Sequence, residues 1–401
     1  MIIDFKKNFW RLKFYLESFS YNLRNHHFLN LNASMSFYFL LTLIPFIIIV
    51  FFFLTQWLSN SRLALYEIEM ITNSLIPEIS TKVLKEISNF SHQRKDFGWL
   101  WIFILFWATT PLAQSLRKNI QIIFHQEQTN ERFLRKKIVD VSVLVLIMSL
   151  FFSYIFFSKY LAHLTTFFAI LIPIAEKSFL LSLSSATLLI AALFLFFKIL
   201  IPIRRIKNIY LISGAVITCA LWISLREIFD IFLSIGQSYG LFYGSMRNIF
   251  ISIIWLFFNV GSFLVGIEFI AFMYELRYYK YKSLIINPNK ELFQSFFKDQ
   301  VVRYRKDEII FRETDDSDFF YFITEGEIET TLNEKTFLHR NNEYFGELSI
   351  INNTKRLGHA KVISDWARII RIRGNVLRKL LREDPVFQSL VLNNLNRKII
   401  V

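Results

Sequence analysis

Residues 249–275 read IFISIIWLFFNVGSFLVGIEFIAFMYE, an apolar run with one charged side chain, Glu268, before its last residue. A helix needs about 20 mostly apolar residues to cross a bilayer, so this run predicts a transmembrane helix. Five similar runs precede it along the chain. They are Ala33–Leu58, Gly98–Leu116, Ile138–Leu161, Ser178–Pro202 and Ile209–Phe232. The sequence therefore predicts an all-α, six-helix transmembrane bundle within residues 1–285.

The composition supports a membrane protein over a nucleic-acid-binding one. Hydrophobic residues make up 54% of the chain and charged residues 19%, against about 25% charged residues in soluble domains. The net charge of +14 is concentrated in the apolar half, because residues 1–289 carry +12 and residues 290–401 only +2. Basic loops beside anionic lipid explain that excess, so the lipid bilayer is the expected partner and a nucleic acid polymer is not. Cys219 is the only cysteine, which excludes an intrachain disulfide, and no metal site is predicted.

The distribution of basic residues predicts the orientation of the spans. They cluster before the first span, between spans two and three, between spans four and five, and after span six: Lys6, Lys7, Arg11, Lys13, Arg24, Arg117, Lys118, Arg132, Arg135, Lys136, Lys137, Arg204, Arg205, Lys207, Arg277, Lys280 and Lys282. Short basic loops stay in the cytoplasm, so both termini are expected there. No cleavable signal peptide is expected, because the first 30 residues lack a short apolar core.

The first external segment, Ser59 to Phe97, departs from this pattern because its basic residues are balanced by acidic ones. Apolar residues recur in it at helical spacing, at Ile79, Val83, Ile87 and Phe90, which predicts an amphipathic helix. Such a helix serves either as a cap packed on the bundle or as a lid over a substrate path, and the sequence leaves both open.

Ionisable residues inside the predicted spans form a candidate polar site. Arg226 and Asp230 lie four residues apart in span five, on one helix face, and Glu268 follows Gly261 and Gly266 in span six. Intramembrane charges are costly unless paired or hydrated, and small residues let another helix approach closely. The functional hypothesis is a polar cavity in which Glu268 binds a cation or a headgroup. The structural hypothesis is an ion pair plus one interfacial carboxyl.

Two signatures in the membrane half resemble a known family. Ala33–Pro45 reads ASMSFYFLLTLIP, Tyr243–Ser245 reads YGS, and Val265–Ala271 reads VGIEFIA, with Trp255 before the last of them. In this order they resemble the first-span and last-span signatures of the YihY/BrkB family, over about residues 20–280. The resemblance implies a multi-pass protein of the bacterial inner membrane, often described as a permease or exporter.

The pattern changes after Lys282. Asn287–Asn289 reads as a linker and Glu291 to Phe297 as a short helix. Strand-like runs separated by turn residues follow, and two helical segments end the chain. The predicted strands are Glu308–Phe311, Phe319–Ile323, Glu327–Thr331 and Ala360–Ile363, and the predicted helices are Asn375–Arg382 and Pro385–Lys398. This order predicts an α+β domain in residues 286–401, a β-roll with flanking helices.

This second half resembles a cyclic nucleotide-binding domain. The residues that carry the resemblance are Lys306–Glu313, Asp318, Tyr321, Gly326-Glu327, Tyr344–Ser349 and Arg356. The resemblance implies that Glu347 accepts a hydrogen bond from the ribose 2′-hydroxyl and that Arg356 pairs with the cyclic phosphate. It also implies that Gly346, Glu347 and Leu348 form a backbone cradle for that anion. Cyclic AMP or cyclic GMP is then the expected regulatory ligand.

The phosphate end of this site departs from the family pattern. Lys355 replaces the usual proline before the arginine, and Leu357-Gly358-His359 replaces the small residues and hydroxyl after it. A lost contact to a charged group is worth about 1.5–3 kcal/mol. His359 is a candidate replacement donor. Either the domain binds nucleotide, or it is a degenerate domain used for homodimer formation or docking.

Three functions are compatible with these halves. The first is a transporter of a lipid or small solute, regulated by the nucleotide domain. The second is a membrane scaffold or sensor that transports nothing. The third, an enzyme, is not expected, because no nucleophile–base pair or phosphate-loop motif is present. The ribonuclease activity once attributed to family members is not expected either. Its metal ligands would have to cluster, and the seven histidines are scattered apart from His26-His27.

Overall fold

The computed structural model describes residues 2–57, 98–125, 174–201, 203, 206–236, 246–286, 296–297, 300–332, 335–384, 387–389 and 391. The chain divides into two compact units. One comprises Leu23–Met273, and the other comprises Met1–Asn22 together with Tyr274–Val401. Each unit is described by itself below.

Six long helices are present in the described part of the chain. They are α1 (Ile2–Asn25), α2 (Phe28–Trp57), α3 (Gly98–Ile123), α4 (Ile174–Leu200), α5 (Asn208–Gly236) and α6 (Met246–Ile286). Five of the predicted spans coincide with α2 to α6. The remaining predicted span, Ile138–Leu161, and the amphipathic segment 59–97 lie outside the described residues. Helix α1 was not predicted.

Two of these helices are long and apolar enough to cross a membrane within the described residues. The qualifying segments are Asn208–Phe229 in α5 and Phe250–Ile286 in α6, and Ala186–Leu200 in α4 is a shorter apolar helix. The helical character of this half is thus confirmed, and the count of six spans remains a prediction. Helix α6 continues past Glu275, the predicted end of the last span, as far as Ile286.

Glycines allow close helix contacts, as the sequence predicted for α6. A Cβ added at Gly214 of α5 would lie 2.8 Å from the Gly266 carbonyl oxygen, and one added at Gly261 would lie 2.9 Å from the Asn32 side-chain nitrogen. Small residues therefore let α6 approach both α5 and α2.

Two buried amide side chains form hydrogen bonds from α2 to α6 and from α3 to α2. Asn32 of α2 donates to the Phe257 carbonyl of α6 at 3.1 Å, and Asn119 of α3 donates to the Leu31 carbonyl at 3.2 Å. Around these bonds lies an apolar core whose largest fully buried side chains are Leu116, Ile123, Phe197, Leu264, Ile267 and Ile270.

The C-terminal domain is a roll of two four-stranded antiparallel sheets, in the orders β1-β8-β3-β6 and β2-β7-β4-β5. The strands are β1 (Val301–Arg305), β2 (Ile309–Phe311), β3 (Phe319–Glu325), β4 (Ile328–Leu332), β5 (Lys335–His339), β6 (Tyr344–Phe345), β7 (Gly358–Val362) and β8 (Trp366–Arg373). Helix α7 (Glu347–Ile351) lies between β6 and β7, and α8 (Gly374–Glu383) follows β8. The predicted β-roll and the helix that follows its last strand, α8, are confirmed.

The four predicted strands correspond to β2, β3, β4 and β7, and the predicted helix Asn375–Arg382 corresponds to α8. Strands β1, β5, β6 and β8 were missed. Most of the helices predicted at Glu291–Phe297 and Pro385–Lys398 lies outside the part of the chain that the structure describes.

Candidate functional site

The predicted phosphate cassette begins at a glycine that the backbone requires. Gly346 caps α7 with φ 80° and ψ 12°, in the left-handed region that side chains disfavour. A Cβ at this position would also lie 2.9 Å from Nη1 of Arg356. The glycine thus turns the chain from β6 into α7 and leaves room for the arginine.

Arg356 lies directly behind this turn and is 3% exposed. Its Nη1 donates to the Gly346 carbonyl at 2.8 Å, and its Nη2 donates to the Phe319 carbonyl. The guanidinium carbon lies 4.2 Å from the centre of the Phe311 ring. Nε is buried and has no hydrogen-bond partner within the described residues.

Burial lowers the pKa of Arg356, while the nearby Tyr321, Asp315 and Glu347 act to raise it. A guanidinium remains protonated in proteins even so. The site is therefore a buried positive charge held by backbone carbonyls and aromatic rings, and its Nε nitrogen has no hydrogen-bond partner within the described residues. That arrangement is suited to an anion.

Glu347 and Leu348 of α7 have different surroundings, one charged and one apolar. The Glu347 side chain is 1% exposed at the start of α7, and its charge acts on Arg356. Leu348 packs on the apolar cluster that contains α8. The structure therefore brings Gly346, Glu347 and Arg356 together, with Leu348 anchoring the short helix behind them.

His359 occupies a different face of the roll. It is exposed in β7, beside the fully buried Ala360, and it shares a hydrogen bond of 3.2 Å with the Thr331 hydroxyl of β4. Successive residues of a strand face opposite sides of a sheet. His359 therefore does not take the position that was suggested for it, beside Arg356 as the donor that replaces the missing hydroxyl.

The turn before β3 contains a non-glycine residue with a positive φ, Thr314. Thr314 has φ 69°, and the left-handed region costs an L-residue about 1–2 kcal/mol. Its amide donates to the Arg356 carbonyl at 3.0 Å, and the Arg356 amide donates to the Asp315 carbonyl at 2.9 Å. The turn thus fixes the backbone of Arg356 at the expense of strain at Thr314.

Replacing Thr314 by glycine is expected to stabilise the domain by about 0.5–1 kcal/mol, because relief of the strain outweighs the extra entropy of glycine in the unfolded chain. Hydrogen exchange of β3 and β8 amides in the full chain should slow two- to fivefold. Thr336→Gly, at an exposed position of β5 with ordinary strand geometry, should accelerate exchange instead. Equal effects at both positions would contradict strain at Thr314.

In the membrane half, Glu268 of the predicted polar site contacts a histidine that the sequence did not single out. Glu268 is fully buried and Nδ1 of His26 lies 2.9 and 3.0 Å from its two carboxylate oxygens. Arg226 is exposed on α5, and the side chain of Asp230 lies outside the described residues. The contact observed for Glu268 is thus with His26, and the grouping of Glu268 with Arg226 and Asp230 stays a prediction. The partner, His26, was missed because it lies before the first apolar run.

Comparisons with known proteins agree with both halves. Residues 19–286 match the family model described as Virulence factor BrkB, and residues 301–384 match the model of the cyclic nucleotide-binding domain. No curated protein matches the chain.

Several solved structures share features with part of the chain. They include the cGMP-bound form of EAL enzyme Bd1971 (29% identity, covering 24% of this chain and 28% of that one, TM-score 0.21). Another is cAMP-bound PfPKA-R (20% identity, covering 31% of this chain and 43% of that one, TM-score 0.24). A third is the catabolite activator protein of Thermus thermophilus (21% identity, covering 25% of this chain and 49% of that one, TM-score 0.22). The chain spans less than half the length of each of these proteins.

A membrane domain joined to a C-terminal cyclic nucleotide-binding domain is thus the class of protein that the fold and the family models define. The first model covers well over half of the chain. The chain belongs to the BrkB family.

Proposed function

We propose that this protein is a multi-pass inner-membrane transporter of a lipid or small solute, with both termini in the cytoplasm, regulated by a cyclic nucleotide that binds at Arg356. The observation that carries the sensor half of the proposal is the buried Nε of Arg356, a donor without a partner within the described residues. A cyclic phosphate supplies both the counter-charge and the acceptor that this nitrogen lacks. No catalytic role is assigned.

Support for regulation comes from one apolar cluster that connects the phosphate cassette with the end of α6. Leu348 and Ile350 of α7 belong to it, as do Leu377 and Leu380 of α8 and Tyr281 of α6. A shift of α7 on binding phosphate should therefore also displace α8 and the last turns of α6, because close-packed side chains transmit displacement.

Two ion pairs fasten α8 and the residue after it to the same turns of α6. Lys379 lies 2.7 Å from the Glu275 carboxylate and 4.0 Å from the centre of the Tyr278 ring. Lys282 pairs with Asp384. Tyr279 donates a further bond of 3.1 Å to Glu275. These contacts join the sensor to the helix that enters the bundle.

Ligand regulation requires that the nucleotide bind one conformation of the protein more tightly than the other. A change in the α7–α8–α6 cluster provides such a difference, because the cassette and the end of α6 share buried side chains. A tenfold difference in affinity between two conformations shifts their ratio tenfold, about 1.4 kcal/mol.

The test uses the full chain in lipid nanodiscs and in liposomes. Calorimetry with cyclic AMP and cyclic GMP is expected to give saturable binding of at least one nucleotide. Flux and lipid-scrambling assays, repeated with that nucleotide, are expected to show an activity that changes on binding. Binding without activity for any lipid or solute class would favour a membrane scaffold or sensor, and absence of binding would indicate a degenerate domain.

A further inference from the structure

We infer that His26, held by Glu268, is a proton-binding site of the membrane half, and that Nε2 of His26 is the atom that takes up the proton. The three side chains involved are His26, His125 and Glu268, all within the unit Leu23–Met273. None of them belongs to the nucleotide cassette, so this site does not depend on the proposed nucleotide site.

The site is built where three helices meet. His26 lies in the turn between α1 and α2, His125 lies just after α3, and Glu268 lies within α6. His27 and His125 adopt φ values of 52° and 49°, left-handed conformations that turn the chain at these helix ends. The ring centres of His26 and His125 are 5.0 Å apart, with the rings inclined at 63°.

The hydrogen-bond geometry assigns the two nitrogens of His26. When Glu268 is ionised its oxygens only accept hydrogen bonds, so Nδ1, at 2.9 and 3.0 Å from them, then carries a hydrogen. Nε2 then presents a lone pair when the ring is neutral. It is buried without a hydrogen-bond partner in the described part of the chain, and the His26 side chain is 4% exposed.

A proton is a ligand that this lone pair can bind. Histidine is the side chain whose charge ordinarily changes between pH 5 and 8. The ionisable groups that contact His26 through a hydrogen bond or a ring, within the described residues, are Glu268 and His125. Glu268 favours the protonated ring, because an imidazolium beside a carboxylate at 2.9 Å forms a charge-assisted bond.

Proton uptake at Nε2 has a consequence for the bundle. It changes the charge of the junction between α2, α3 and α6 by one unit in a buried setting, where electrostatic interactions are stronger than in water. Gly261 of α6, which sits against Asn32 of α2, lies two turns from Glu268. The packing of α6 against α2 is therefore expected to change with pH.

The test is nitrogen NMR of the ¹⁵N-histidine-labelled full chain in nanodiscs, with His26 assigned from its loss in His26→Asn. In the native chain, His26 should pass from one protonated nitrogen at pH 8.5 to two at pH 5, with Nδ1 protonated throughout. In Glu268→Gln, the second protonation should be absent over that range.

Two outcomes would overturn the inference. One is a His26 that keeps a single protonated nitrogen down to pH 5 in the native chain, a result that needs no variant to fold. The other is an unchanged proton uptake at His26 in Glu268→Gln, which would show that the carboxylate does not stabilise the protonated ring. Asparagine at position 26 keeps a donor near the place of Nδ1, so His26→Asn should preserve the fold without taking up the proton.

Discussion

Arg356→Ala is expected to lower the affinity of the full chain for its cyclic nucleotide by at least about a hundredfold. The substitution removes a buried guanidinium whose Nε faces no partner in the described residues, and with it the charge-assisted contacts to phosphate. Contacts of this kind are worth about 1.5–3 kcal/mol each, and every 1.4 kcal/mol is a factor of ten in affinity. Calorimetry of the full chain in nanodiscs measures the effect.

This variant also removes the donors to the Gly346 and Phe319 carbonyls, so its folding needs a separate check. Hydrogen exchange of β3 and β8 amides reports whether the roll remains intact. Arg356→Lys keeps the positive charge without the planar fork and should bind with intermediate affinity. Lys355→Ala, at the exposed neighbouring position, should change affinity by less than about threefold. Native affinity in a folded Arg356→Ala protein would show that the nucleotide does not bind here.

The cassette could be predicted because its chemistry is local in sequence. Gly346, Glu347 and Arg356 lie within one short segment, and the glycine is required by a left-handed turn. The surroundings of Arg356 could not be predicted, since Phe311 and Phe319 come from other strands and meet it only after the roll closes.

The strands that the sequence analysis missed were missed for different reasons. Strand β8 alternates buried Ile370 and Ile372 with exposed Arg371 and Arg373, a period-two signal that was present in the sequence. Strand β5 is short, and its pairing with β4 decides its conformation. The outward direction of His359 depends on register within the sheet, which the order of residues after Arg356 does not fix.

The membrane half shows the limit of reasoning from apolar runs alone. Glu268 was singled out because it interrupts such a run, and its burial agrees with that choice. Its partner could not be found in the same way, because His26 lies outside every run and is separated from Glu268 by more than half of the chain. Pairing between helices is a property of packing, which hydropathy does not contain.

Lys379→Met is expected to separate nucleotide binding from its effect on the membrane domain. The methionine retains an apolar stem over the Tyr278 ring but loses the ion pair with Glu275, whose side chain is 5% exposed. Breaking one partner of a buried pair costs about 3 kcal/mol. Hydrogen exchange of α8 amides should therefore accelerate about a hundredfold, while the nucleotide affinity should stay within about threefold of the native value.

Arg378→Met is the matched control, because Arg378 is an exposed cation on the same helix and should leave both exchange and regulation nearly unchanged. The double variant Lys379→Glu with Glu275→Lys restores an ion pair of reversed polarity and should recover most of the lost protection. Faster exchange in Lys379→Met with regulation intact would mean that the signal reaches the bundle by another route. Because nucleotide binding is measured in the same samples, such a result would contradict this coupling contact while leaving the Arg356 site standing.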